Sequence, residues 1–311
     1  MPCDNIAPEH FTIRILEGDN EPYQTMVSQY ERGNIMVAVA EMMEGMSVAR
    51  LAKELKQEAR SMGRDEARFL VDAYYQVQEY RKAANNQVRA GAHGDVRALT
   101  IVGWLKGHMG AIETRIKQLL EQYAKSQEVG EWAMSICGIG PVITAGLLAR
   151  IDIHKAPTVG HIWRYAGLDP TVKWKKGCKI PWNADLKTLC WKTGECFVKV
   201  CNNDKDFYGH LYVERKEYET AKNEAHDYAD QAAAMLERVP NHKQKAIYAD
   251  GILPPRHIHE RAKRWTVKLF LAHFHAVMYE TIIGEEAPKP YVIEHMGHVH
   301  NIVAPNWPME E

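Results

Sequence analysis

Between Ile136 and Leu148 the chain reads Ile-Cys-Gly-Ile-Gly-Pro-Val-Ile-Thr-Ala-Gly-Leu-Leu. These types at this spacing suit one task, holding a phosphodiester by the protein backbone. Gly138 and Gly140 permit a turn with positive φ and leave room for a phosphate to approach. Ile139 between them plugs two helices together, and Pro141 is preset for the first turn of the second. Amides left free at that helix N-terminus bind a phosphate without reading sequence. With small Ala145 in the following helix, the segment has the form of a helix-hairpin-helix. Gly138, Ile139, Gly140 and Thr144 are its expected DNA-binding residues. The competing reading is an ordinary tight turn, and the complete apolar frame weighs against it.

Downstream, from Val172 to Lys192, six lysines (Lys173, Lys175, Lys176, Lys179, Lys187, Lys192) stand against one acid, Asp185, a net of +5. Lysines neutralise phosphates, and the interleaved indoles could stack on an unstacked or flipped base. Tryptophans at helical spacing are more often core, which is the expectation for Trp163 and Trp191. Trp174 and Trp182 are the better ligand candidates. A second basic patch, Arg256, Arg261, Lys263, Arg264 and Lys268 against Glu260, nets +4. Arg261 and Arg264 join the DNA-binding set.

The elements that must hold these residues read as helices. Apolar residues recur at Phe69, Ala73, Val77, Tyr80, Ala84 and Val88, one stripe of a long amphipathic helix. After Gly91 and Gly94, with Asp95 placed to cap, a second helix carries Ile112, Ile116, Leu119 and Tyr123. The pair looks like a helical hairpin or coiled-coil arm, and homodimerisation through it is an extension of that reading. An acidic helical stretch follows from Leu211 to about Arg238. Pro254-Pro255 precedes a final helix from about His257 to Glu280, and the proline-bearing tail reads as a non-helical wrap. No strand pattern is strong enough to build a sheet. The expectation is all-α, with an irregular lead-in over 1–46, the arm over 47–126, a helix-hairpin-helix domain over 127–210 and C-terminal helices and tail over 211–311.

Composition narrows the class. The 311 residues are 46% hydrophobic and 25% charged, a globular balance. The formal charge of −1 means that any DNA surface must come from charge segregation along the chain. Six cysteines form no C-x-x-C pair, and the first residues lack the features of a signal peptide. No apolar run approaches bilayer length, so a cytoplasmic protein with no membrane partner is expected. Of 15 histidines, His257, His259, His273 and His275 pair at two-residue spacing, which points to different sides of a helix. His298 and His300 in the tail share a side only if it is extended. No metal and no cofactor are expected.

Gly138-Ile139-Gly140-Pro141, then Tyr165-Ala166-Gly167-Leu168-Asp169-Pro170, then Lys179, Asn183 and Leu186-Lys187, resemble the C-terminal domain of insertion-sequence transposases that join a RuvC-like DEDD nuclease domain, a coiled coil and a helix-hairpin-helix domain. The resemblance covers about residues 130–200. It implies an inherited fold and DNA as partner, with Asn183 among the contacting residues. Two features depart from the family. Nothing in 1–46 resembles the strand that carries the nuclease domain's first Asp. The stretch from Pro170 to Leu186 holds no serine where the family has a catalytic one, only Thr171 and Cys178.

The chemistry left open is a short list. The lead expectation is a metal-independent DNA glycosylase, whose oxocarbenium-like transition state one carboxylate can stabilise beside an aromatic pocket next to the hairpin. Asp169 is the candidate, with Asp185 and Asp152 behind it. A cap or turn role for Asp169 before Pro170 competes strongly. The alternative is a non-catalytic, transposase-derived DNA-binding protein, which accounts for the missing serine directly. A third idea is a Cys178 thiolate activated by its lysine neighbours.

Overall fold

The computed structural model describes residues 51–90, 96–288 and 302–309, and among these the chain is all-helical, with no strand. The lead-in over 1–46, Asp95 with its two glycines, and His298 and His300 lie outside the described residues.

A short helix α1 (Lys53–Glu58) and a 3-10 turn precede α2 (Arg64–Ala90), which Asp65 and Glu66 open in the acidic manner that suits a helix N-terminus. Helix α3 (Val96–Lys125) runs back along it. Arg60 Nε donates to Gln122 Oε1, and Gln78 and Arg81 both donate to Glu113, which fixes the two as antiparallel. The stripe expected on α2 packs only in part. Ala84 is buried and Ala73, Val77 and Val88 are half-buried, but Phe69 is 71% and Tyr80 66% exposed, while Ala67 and Val71, off the stripe, are buried. The reason is a close helix crossing: Val71 lies against Gly146 of the helix beneath, so small residues take that contact, and Phe69 and Tyr80 are turned outward.

The core lies under the foot of this arm. Helices α4 (Glu128–Ser135), α5 (Pro141–Arg150), α6 (Val159–Tyr165), α7 (Ala184–Val200), α8 (Phe207–Glu224) and α11 (Pro255–Ile283) surround it. From Val142 to Arg150 every residue of α5 is buried. Trp132 is fully buried near Phe270 and Phe274, with ring centroids 6.0 and 6.3 Å away. The acidic stretch is two helices, α8 and α9 (Ala229–Arg238), followed by α10 (Lys245–Ala249). A small satellite core of Tyr228, Ala232, Tyr248, Leu253 and Ile258 holds them to α11.

The strap 302–309 closes over this core without helix. Trp132 Nε1 donates to Pro305 O at 2.8 Å, and Trp307 Nε1 to Glu280 Oε2 at 2.7 Å. His273 bonds Ile302 O through Nε2 at 2.7 Å and Tyr208 Oη through Nδ1 at 2.7 Å. A carbonyl only accepts, so Nε2 carries the proton and the neutral ring's Nδ1 accepts from tyrosine.

Candidate nucleic-acid interface

The Gly138–Gly140 segment forms the turn between α4 and α5. Gly138 has φ +86°, the left-handed region that favours glycine, and an added Cβ would sit 3.0 Å from Val200 Cγ2. Gly140 is extended, and an added Cβ would meet nothing within 4 Å. It occupies the N-cap of α5 with no side-chain hydrogen bond to the first turn, and Pro141 follows. The first-turn amides of α5 therefore have no side-chain cap. Ile139 is buried as a plug between the helices, at 5% exposure, so it supports the turn and cannot itself reach a ligand. Thr144 is also turned into the protein. It is fully buried, its hydroxyl finds no partner, and it is out of a phosphate's reach.

The loop from Asp169 to Trp182 carries the basic segment. Lys173, Lys175, Lys176 and Lys179 are exposed, and none is in an ion pair among the described residues. Trp174 is 45% exposed, its Nε1 donating to Cys178 O at 2.8 Å, so one indole edge ties the loop and the ring stays accessible. Trp182 packs on the backbone of Gly167, with the Lys187 ammonium 4.0 Å from its ring centroid, which leaves it little free face. Burial and the neighbouring Arg264 cation push the Lys187 ammonium below its usual range. This side chain of α7 and exposed Arg264 of α11 join the two basic patches. Trp163 is half-buried and donates to Lys268 O, while Trp191 departs from its expected core position and is 52% exposed.

Three further candidates are occupied within the protein. Asn183 caps α7, Oδ1 accepting from Leu186 N at 2.7 Å, and its Nδ2 donates to Tyr165 Oη at 3.1 Å. Arg261 donates to Glu219 at 2.7 Å and to Gln231, and lies over Tyr228. Lys263, 3% exposed, bridges Glu195 and Glu260 at 2.6 and 2.9 Å. Those two carboxylates and His259 bring ligand-type atoms within 4.8 Å of one another. The lysine ammonium already supplies the cation they need.

The catalytic candidates do not converge. Asp169 Oδ1 accepts from both Thr171 N (2.9 Å) and Thr171 Oγ1 (2.7 Å), and these bonds hold its carboxyl below the usual range. That is the geometry of a turn residue. Asp185 is exposed in the first turn of α7, and Asp152 pairs with Arg64 and Lys155. Cys178 is exposed, and no side chain among the described residues hydrogen-bonds its thiol.

The expected aromatic pocket next to the hairpin is also absent among the described residues. The turn at Gly138 abuts Cys196 and Val200 at the end of α7, whereas the basic loop enters at Asn183 at its start. The 17 residues of α7 set them about 25 Å apart. Sequence proximity misled because α7 folds back along α5, carrying the loop to the opposite end of the pair. Arg150 and Arg164 were not singled out in the sequence, and Tyr165 entered only within the family phrase. Only the last gave a signal, at the head of the Tyr-Ala-Gly-Leu-Asp-Pro phrase.

Residues 130–174 match the family model described as Transposase IS116/IS110/IS902 family. The matched segment runs from α4 through the turn, α5 and α6 into the basic loop. No curated protein and no solved structure matches the chain. The family match supports a transposase-like relationship and a DNA-binding or DNA-processing role. Base excision finds no support in it. No helix among the described residues is long and apolar enough to cross a membrane.

Proposed function

We propose that this chain is a transposase-derived DNA-binding protein that grips the phosphate backbone without excising a base. The observation that carries the reading is the uncapped N-terminus of α5 behind Gly140, with clear space beside that glycine, within the segment that the family match covers. Four lysines free of ion pairs and the accessible Trp174 add a sequence-independent grip at the other end of α7. The turn acts as the helix-hairpin-helix in this reading, and the arm supplies a dimer contact, supported by the exposed Phe69, Tyr80 and Ile101.

The test is fluorescence anisotropy with labelled random-sequence duplex from 50 to 200 mM salt, by titration that also reads stoichiometry. Lys173, Lys175, Lys176 and Lys179 changed together to Gln should weaken binding at least about tenfold. Each phosphate that is no longer neutralised should reduce the salt slope by about 0.9. Gly140→Val should weaken binding with the fold intact. Unchanged affinity and slope in both variants would sink the reading. Alkali-labile breaks in DNA incubated with the protein in EDTA would restore base excision in its place.

A further inference from the structure

A cleft of about 830 Å³, within the size range of ligand sites, lies between the foot of the arm and the C-terminal end of α5. Neither grip described above uses it. Arg64 closes its base by donating to Ala149 O and Ile151 O, which satisfies carbonyls that the end of α5 leaves open. The cleft is rich in cations. Arg64, Arg68, Arg150, Lys155 and Arg164 line it against two carboxylates, Asp65 and Asp152.

Those acids are already committed. Asp65 is paired with Arg68, and Asp152 is shared by Arg64 at 3.4 Å and Lys155 at 3.6 Å. Arg164 is exposed and in no ion pair among the described residues. Arg150 is the telling residue, because it is only 7% exposed. One guanidinium nitrogen reaches Asp72 at 2.5 Å, while Nη1 is buried with no partner. A buried donor left unsatisfied is costly, so the wall of the cleft holds a cation with one donor uncompensated.

The same cleft presents an aromatic wall. Tyr165 is 44% exposed, and the hydrogen bond from Asn183 fixes its ring. Tyr165 and Pro181 also border a smaller concavity reaching Lys179, so the cleft is continuous with the basic loop. Surplus cations beside a fixed, exposed aromatic ring match an anion joined to a flat heterocycle.

We propose that this cleft holds one nucleotide of an unpaired DNA strand, its phosphate among Arg68, Lys155 and Arg164 and its base on Tyr165. The proposal rests on the DNA-binding reading and deepens it. Free mononucleotides share the chemistry, so the test includes them.

The experiment compares, by anisotropy, the full chain's affinity for a blunt duplex, for the same duplex with a six-nucleotide single-stranded overhang, and for dAMP as competitor. The overhang should bind about tenfold tighter, the effect of one stacked base. Tyr165→Ala and Arg164→Gln should abolish that preference and leave blunt-duplex affinity unchanged. Tyr165→Phe, which keeps the ring, should retain most of it, and circular dichroism of each variant guards against misfolding. Equal affinity for blunt and overhanging DNA would overturn the cleft proposal while the DNA-binding reading stands. Binding of dAMP with none to either duplex would overturn the strand assignment and the DNA-binding reading together.

Discussion

Gly138 and Gly140 stand two residues apart and are constrained in different ways. The first is required by the backbone, because its φ of +86° disfavours a side chain and an added Cβ would press on Val200. The second is required, in the proposed function, by what approaches from outside. Gly138→Ala should therefore cost about 1–2 kcal/mol of stability, the penalty of a left-handed conformation. Gly140→Ala should stay within about 1 kcal/mol of the parent. Urea denaturation of both variants checks the difference, and equal losses would show that the turn is not built this way. The types and spacing of these residues were legible in the sequence. Burial was not, since nothing in a lone sequence says that Thr144 points inward, that Asn183 spends itself on a cap, or that Arg150 ends without a partner for Nη1.

At the scale of elements, periodicity located the long helices but not their faces. Helix α11 follows Pro254-Pro255 as expected and extends to Ile283. The stripe on α2 held at Ala84 but not at Phe69 and Tyr80, because its period fits several faces and the small residues at the crossing decide which one packs. The acidic stretch is helical as expected, in two helices rather than one, but its charge conceals a buried member. Glu219, only 2% exposed, accepts from Arg215, Arg261 and Tyr228 at 2.6, 2.7 and 2.5 Å, tying α8 to α11. Removing the carboxylate strands two partly buried guanidinium groups. Glu219→Ala should lower stability by about 3 kcal/mol, and chemical denaturation measures it. A loss below about 1 kcal/mol would place this cluster among ordinary surface pairs.

At the scale of the molecule, the strap and His273 make stability depend on pH. Burial pushes the His273 imidazole down to about 4. The unfolded chain takes up this proton below about pH 6.5, and the folded chain does not until about 4. Its share of stability is therefore complete above 6.5 and is lost as pH falls toward 4, up to about 3 kcal/mol. Glutamine can donate to Ile302 O and accept from Tyr208, so His273→Gln should melt with a shallower acid slope than the parent. Identical slopes in thermal scans from pH 4.5 to 7.5 would remove His273 from the account. The length of α7 has a consequence of another kind. A straight duplex laid along it advances about seven base pairs over 25 Å, some two-thirds of a B-form repeat. Under the proposed function the strand facing the turn would by then have rotated away, and the loop would meet its complement, so that the two strands would be held across a groove in fixed helical phase, whatever their sequence.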